Sequence, residues 1–293
     1  MFNVKDKGNF AHPKIMENIF LVLKTIIIYL IAFTMLFPFF WMLVGSFKSG
    51  PRVFDNPFRI VLNELSFEGY EYVIKRGVFG VSFITLYLNS IKVTAIVMLG
   101  TFLSCSMAAY GYAKINFRGR DVIFLIKLAT AMIPAQVTMI PMFLVYKNLG
   151  LLDTHMALWI TSFFGTTFGT FLLRQFFVTI PNELCESARI DGAGHLRIYW
   201  TVILPLVKPA LSALMIFTFV SSWNNYETAL IYLRTASKYT LPLGLAMMRT
   251  DRDHLHYSGM MAGAVVSVIP ILLVFVIGQR YFIEGVTFTG IKG

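Results

Sequence analysis

Residues 25 to 44 run through isoleucine, leucine, phenylalanine and tryptophan without one charged side chain. A helix rises about 1.5 Å per residue, so roughly 20 such residues cross the hydrocarbon of a bilayer. The stretch is too long for the core of a secretion signal and lacks a small-residue cleavage site, so an uncleaved first span is expected. The rest of the 293 residues agrees, being 57% hydrophobic and only 14% charged, far from a soluble domain. Five further apolar stretches, at about residues 86–113, 122–146, 155–173, 203–220 and 260–278, complete the expectation. The fold class is an all-α integral membrane protein, a bundle of six transmembrane helices.

Local features refine the bundle. Gly100, Ser104 and Ala108 recur every fourth residue, and Gly165 and Gly169 do the same in the fourth span, giving faces on which another helix can approach closely. Pro134 and Pro141 break the third span, which is expected near the bundle interior, where protein or a water-filled cavity satisfies the freed backbone. Six spans leave both termini on one side, and a modest excess of Lys and Arg puts that side in the cytoplasm. Residues 1–24 then form a cytoplasmic segment and 25–293 the transmembrane domain, with external loops at about 46–82 and 227–257 and an inward tail at 279–293.

One inward loop, at about residues 181–205, is unlike the others. It carries Glu183, Glu186, Arg189, Asp191 and Arg197 between two apolar segments and reads as helix, turn, helix. Pro181 suits a first helical turn, and Glu183 and Glu186 lie near the positive end of that helix. Gly192 ends it, because glycine accepts the left-handed backbone of a sharp helix stop. In the second helix Leu196, Tyr199, Trp200 and Ile203 recur at helical spacing and make one apolar stripe, before Pro205 and Pro209 interrupt the backbone. So much organised structure in a loop implies that something docks on it.

Several function classes fall away. The net charge of +10 is scattered over loops with no basic stripe, which fits a membrane surface and not a nucleic acid. No Gly-x-x-x-x-Gly-Lys-Ser/Thr loop is present to cradle a nucleotide phosphate. No span carries a central Asp or Glu of the kind an ion-driven carrier uses; Lys92 and Lys127, near span ends, are expected to snorkel to headgroups. Cys105 and Cys185 suggest no disulfide, His254 and His256 lack a partner ligand, and no nucleophile or paired-carboxylate arrangement stands out. A chain without an engine of its own borrows one. An autonomous secondary transporter and a membrane-embedded enzyme or scaffold are the disfavoured alternatives.

In order and spacing, Glu186-Ser187-Ala188, Asp191-Gly192-Ala193, Tyr199-Trp200, Leu204-Pro205 and Pro209 resemble the signature loop of permease subunits in bacterial ABC import systems, with Ser187 standing where alanine is usual. The likeness continues through Asn89-Ser90, Ala108-Ala109-Tyr110, the turn Phe117 to Arg120, Ile133-Pro134, Ile140-Pro141, Leu149-Gly150-Leu151, Arg174 to Phe177, Trp223-Asn224 and Gly290 to Gly293. It is similar over most of its length to the shorter permease of maltose-type sugar importers.

The resemblance implies a type I ABC importer permease in the bacterial inner membrane, a non-catalytic subunit working by alternating access. A coupling helix would sit in a cleft of a cytoplasmic ATPase, formed by Glu186, Ala188, Asp191, Gly192, Ala193, Leu196, Tyr199, Trp200, Leu204 and Pro205. Lys292 and Gly293 would reach the ATPase dimer. The implied partners are a second homologous permease, two ATPase copies, an extracytoplasmic solute-binding protein, the lipid bilayer and an oligosaccharide. No cofactor would be bound by this chain, with ATP and Mg on the ATPase. Trp223, Asn224, Asn225 and Tyr226 are read as facing the substrate path, since stacking and amide contacts suit a sugar, or else as an interfacial anchor. A peptide or amino acid would differ only as cargo.

Overall fold

The computed structural model describes residues 12–49, 53, 65–249 and 256–290. These form α1 (His12–Ser46), α2 (Glu68–Lys75), α3 (Phe83–Lys114), α4 (Arg120–Thr130), α5 (Ala135–Asn148), α6 (Met156–Trp159) and α7 (Thr167–Thr179). They continue through α8 (Glu183–Ile190), α9 (His195–Ile198), α10 (Leu204–Leu206), α11 (Lys208–Trp223), α12 (Glu227–Tyr232), α13 (Leu241–Met248) and α14 (Tyr257–Gly290). A 3-10 turn, Ile160–Phe164, follows α6, and a π turn, Tyr199–Ile203, joins α9 to α10. No β-strand occurs among the described residues.

Four helical runs are long and apolar enough to cross a membrane: Met16–Ser46, Phe83–Lys114, Met156–Thr179 and Tyr257–Gln279. Two bent pairs meet the same test together, α4 with α5 at 96° and His195–Leu206 with α11 at 83°, which brings the count to six. Each bend has its cause in the sequence. Pro134 ends the first at the start of α5, and Pro209 opens α11 after the second, each lacking an amide donor and fixing φ.

The long helix α3 is the hub. Cys105, Ala109, Leu173, Phe177, Ala210 and Leu214 bring α3, α7 and α11 into one fully buried cluster. Lipid is as apolar as leucine, so burial alone gains little in a bilayer, and close approach with interhelical hydrogen bonds holds such helices together. A Cβ at Gly100 would overlap Ser162 Oγ, and Ser104 Oγ donates to the Ser162 carbonyl at 2.7 Å, so the small-residue face does receive a neighbour. A second cluster at the far end joins Leu86, Trp223, Leu241 and Ala262. By contrast α1 is apolar all round from Thr25 to Val44, and the hydrophobic window within Met16–Ser46 has no buried residue.

One expectation is corrected. The third span lies at the periphery of this chain: Met132 is 84% exposed and Ile140 72%. Its broken backbone is relieved at Pro134 itself, which caps α5 in an extended conformation. Beyond Gln279, α14 runs on through most of the expected tail to Gly290. Lys292 and Gly293 lie outside the described residues, as do parts of the loops at 46–82 and 227–257.

The loops at the end away from α8 are tied by Asp153. Its carboxylate accepts from the Arg234 and Thr235 amides, both at 2.9 Å, from Thr235 Oγ1 at 2.6 Å and from Lys238 Nζ at 3.0 Å. Burial raises this carboxyl's pKa, but the four hydrogen bonds outweigh it and hold the group well below the usual carboxylate range. A depressed carboxylate stabilises the fold above the unfolded-state pKa near 4 and loses that contribution only as pH falls through the folded value. Proteolytic protection of the loop at 233–240 is therefore expected to persist to about pH 4. Asp153→Ala should remove about 2 kcal/mol from that loop and expose it to limited proteolysis at neutral pH.

Candidate functional site

The loop from α8 to α10 has the geometry its glycine dictates. Gly192 has φ +82, its amide donates to the Arg189 carbonyl at 2.9 Å, and the Ala193 amide reaches back to the Ala188 carbonyl at 2.9 Å. That pair of bonds is a Schellman stop, and Ala188 and Ala193, five residues apart, both pack against the core beneath it. Asn182, one residue after Pro181, stands at the amino cap of α8, and Glu183 and Glu186 occupy its first turn.

The second half of the loop is seated on α3. Tyr199 is 1% exposed and shares a hydrogen bond with Ser106 Oγ at 2.6 Å; Ile198 and Ile203 are fully buried beside it. Tyr110 meets His195 Nδ1 at 3.3 Å, and Lys114 Nζ donates to the Ile180 carbonyl and to Asn182 Oδ1, pinning the loop's entry. The expected single stripe therefore splits. Tyr199 and Ile203 turn inward, while Leu196 is 66% exposed and Trp200 50%. Leu196 and Trp200 are four residues apart and share the outward edge of the stripe, while Tyr199 and Ile203, also four apart, share the edge that meets α3, and a π turn spans Tyr199–Ile203. Ile190, at 87% exposed, sits beside the stop, so Ile190 and Leu196 stand out from a rigid base with Glu186 and Asp191 also exposed. Leu204 is half-buried and Pro205 exposed.

A second feature is a cavity of about 830 Å³ bounded by α3, the 160–164 turn, the start of α7, α11 and Thr240. Its lining is rich in hydroxyls, among them Thr101, Thr161, Ser162, Thr166, Thr218 and Ser222, and none of the lining residues is charged. Thr101 Oγ1 and Thr240 Oγ1 are buried without a protein hydrogen-bond partner. Of the four residues read as facing the path, Asn225 alone lines this cavity. Trp223 is 2% exposed, stacked on Phe219 with centroids 5.6 Å apart, and its Nε1 donates to the Ser267 carbonyl at 3.0 Å. A buried indole whose one donor is satisfied is a packing group, so neither a path-facing nor an interfacial place is found for it. Asn224 is exposed and bonds the Val220 carbonyl, and Tyr226 packs half-buried against α12 and α13. Lys127 also departs from expectation: its ammonium donates to the Gly165 carbonyl at 2.9 Å, at the break before α7.

Broken spans, a hydroxyl-lined cavity and a polar loop seated on the bundle suit a subunit of a membrane transporter. The sequence profile of the family described as "Binding-protein-dependent transport system inner membrane component" matches residues 100–287, and the chain belongs to that family. It is 30% identical over 278 residues to the arabinooligosaccharides transport system permease protein AraQ of Bacillus subtilis (strain 168), covering 94% of this chain and 97% of that one. It is 32% identical over 253 residues to the sn-glycerol-3-phosphate transport system permease protein UgpE of Yersinia pestis, covering 85% and 90%. Among solved structures, a chain of a bacterial ABC transporter involved in the import of the acidic polysaccharide alginate superimposes with a TM-score of 0.81 at 28% identity, covering 94% of this chain and 99% of that chain. The chain is thus a multi-pass inner-membrane permease with the type I importer fold.

Proposed function

We propose that this chain forms half of the translocation path for an oligosaccharide and takes its energy from a separate cytoplasmic ATPase through the 181–205 loop. The observation that carries the coupling role is the split loop, with Ile190 and Leu196 presented to solvent on a base fixed by Tyr199, Ile198 and Ile203. Exposed apolar side chains on a rigid polar knob suit insertion into a pocket of a partner. Glu186, Ala188, Asp191, Gly192, Ala193, Leu196, Tyr199, Trp200, Leu204 and Pro205 shape that contact, with Tyr199 acting from beneath. Lys292 and Gly293 are proposed to add a second contact on the ATPase. The chain itself binds no cofactor and catalyses nothing, ATP and Mg belonging to the ATPase.

The relatives' names support a saccharide, and the cavity's hydroxyls supply the donors and acceptors such a cargo needs. The unburied α1 and the exposed third span offer the surface for a second, homologous permease. A solute-binding protein delivers from outside, with both termini of this chain in the cytoplasm. Isolation through a tag on this chain should recover a second permease and two ATPase copies, and the complex in liposomes should take up oligosaccharide only with ATP inside and binding protein outside. Recovery of the chain alone, moving solute down an ion gradient, would overturn the reading. Leu196→Glu should weaken ATPase association by roughly 2 kcal/mol, about thirtyfold, without disturbing the bundle, measured as ATPase retained on the tagged permease.

A further inference from the structure

With Trp223 packed away inside the bundle, the aromatic side chains on the cavity wall are Phe168 and Phe217. Phe168 sits in the first turn of α7 and Phe217 in the second half of α11, and their rings meet edge to face, centroids 5.9 Å apart at 83°. Neither is covered by this chain: Phe168 is 56% exposed and Phe217 41%. A bare ring facing lipid would stand among other apolar groups. Here Leu214, Phe217, Thr218, Ser221 and Ser222 recur at helical spacing on one face of α11, and that whole face lines the cavity. Thr166 and Thr167 line it beside Phe168. Polar groups within a span turn toward the bundle interior or water, so the two rings lie on the polar side of their helices.

Two polar groups along the same wall have bonding capacity left. Ser221, one turn beyond Phe217 and about 6 Å farther along α11, is exposed and makes no hydrogen bond with any described residue. Asn225 accepts through Oδ1 from the Thr228 amide at 3.3 Å and from Thr228 Oγ1 at 2.6 Å, which fixes its plane and leaves both Nδ2 hydrogens unused by any described residue. The wall thus runs from a pair of open rings to a free hydroxyl and then to a free amide.

A pyranose is matched to such a wall. Its face carries C–H bonds whose hydrogens are slightly positive, the face of a benzene ring is negative, and the hydroxyls at the sugar's rim take ordinary hydrogen bonds. A furanose is smaller and puckered and offers a narrower C–H face. We propose that Phe168 and Phe217 are the stacking platform of this half of the path and, on the oligosaccharide reading above, set its preference for cargo built of pyranose rings. Ser221 and Asn225 meet the hydroxyls at the rim. No lining residue is charged, so the platform reads the shape of the sugar ring and not its charge.

The test is uptake by the complete transporter in liposomes, with one binding protein throughout, of a galactopyranose oligosaccharide and an arabinofuranose oligosaccharide of equal length. Because the delivering protein is the same, its own preference cancels between wild type and variant. Phe168→Leu and Phe217→Leu keep apolar bulk and remove the ring, and each should lower the pyranose-to-furanose uptake ratio about fivefold, the strength of one aromatic contact. Phe168→Tyr and Phe217→Tyr keep a ring and should keep most of the ratio. A merely structural role for the rings would lower both uptakes together. An unchanged ratio in both leucine variants overturns the platform. Loss of the second permease from both, read on the tagged chain, overturns it as well, since the rings would then be packing groups between two permeases; if one variant alone fails to assemble, the other position decides. Wild type carrying only the furanose sugar overturns the platform but leaves the oligosaccharide reading standing, and wild type carrying neither sugar sinks both.

Discussion

Gly192→Pro is expected to abolish binding-protein-stimulated ATP hydrolysis by the assembled transporter. Proline fixes φ near −65°, whereas position 192 sits at φ +82, and its ring nitrogen cannot donate to the Arg189 carbonyl as the glycine amide does at 2.9 Å. The loss of that bond and the forced change of φ cost about 3 kcal/mol or more, enough to unmake the Schellman stop. Without it Ala193 leaves Ala188, and Leu196 is no longer presented beside Ile190. The helices of the bundle do not depend on this turn, so the permease should still be made, inserted and paired. Gly192→Asn, which tolerates the left-handed region, should keep most of the stimulated activity, and Gly192→Ala should fall between, at about 1–2 kcal/mol. Stimulated hydrolysis at the wild-type level in Gly192→Pro would show that the loop's shape does not carry the coupling.

The grading of those three variants rests on something legible in the sequence. A glycine after a short polar helix has a local cause, the left-handed stop, and the structure supplies it. The six spans were legible for the same reason, since an apolar run long enough for a bilayer is also a local fact. What escaped was set by partners far along the chain. Trp223 beside two asparagines looks like the end of a span, and only Ser267, 44 positions later, turns it into a buried packing group. Lys127 looks near enough to a span end to snorkel, and only the break at Gly165 gives its ammonium a carbonyl inside. The cavity draws hydroxyls from four separate stretches, so no single segment announces it. In the second helix of the loop the 3.6-residue count placed four apolar residues on one broad stripe, and the seat on α3 covers only the edge that carries Tyr199 and Ile203. Periodicity found the residues; it could not tell which of them would be exposed.

That division makes Tyr199 the position where the largest loss of stability is expected. Tyr199→Ala removes a ring that is 1% exposed and lies 5.5 Å from Tyr110 and 5.1 Å from Trp200, centroid to centroid. Truncating a buried aromatic side chain to alanine typically costs about 3–5 kcal/mol, because the surroundings relax only partly into the space. Tyr199→Phe isolates the hydroxyl: Ser106 Oγ keeps its bond to the Phe102 carbonyl, so the loss is about 1 kcal/mol. The contrast separates packing from polar linkage, and both act on the joint between the 181–205 loop and α3. If movement of the ATPase reaches the cavity through this joint, Tyr199→Ala should give complexes that still hydrolyse ATP while uptake falls at least tenfold. Tyr199→Phe should lose less than half of its uptake. The hydrolysis-to-uptake ratio is the informative readout, since simple loss of assembled protein lowers both rates together. An unchanged ratio in Tyr199→Ala would mean that the lever runs instead along the backbone from Leu204 into α11, past the 83° bend, and that the buried tyrosine only holds the loop in place.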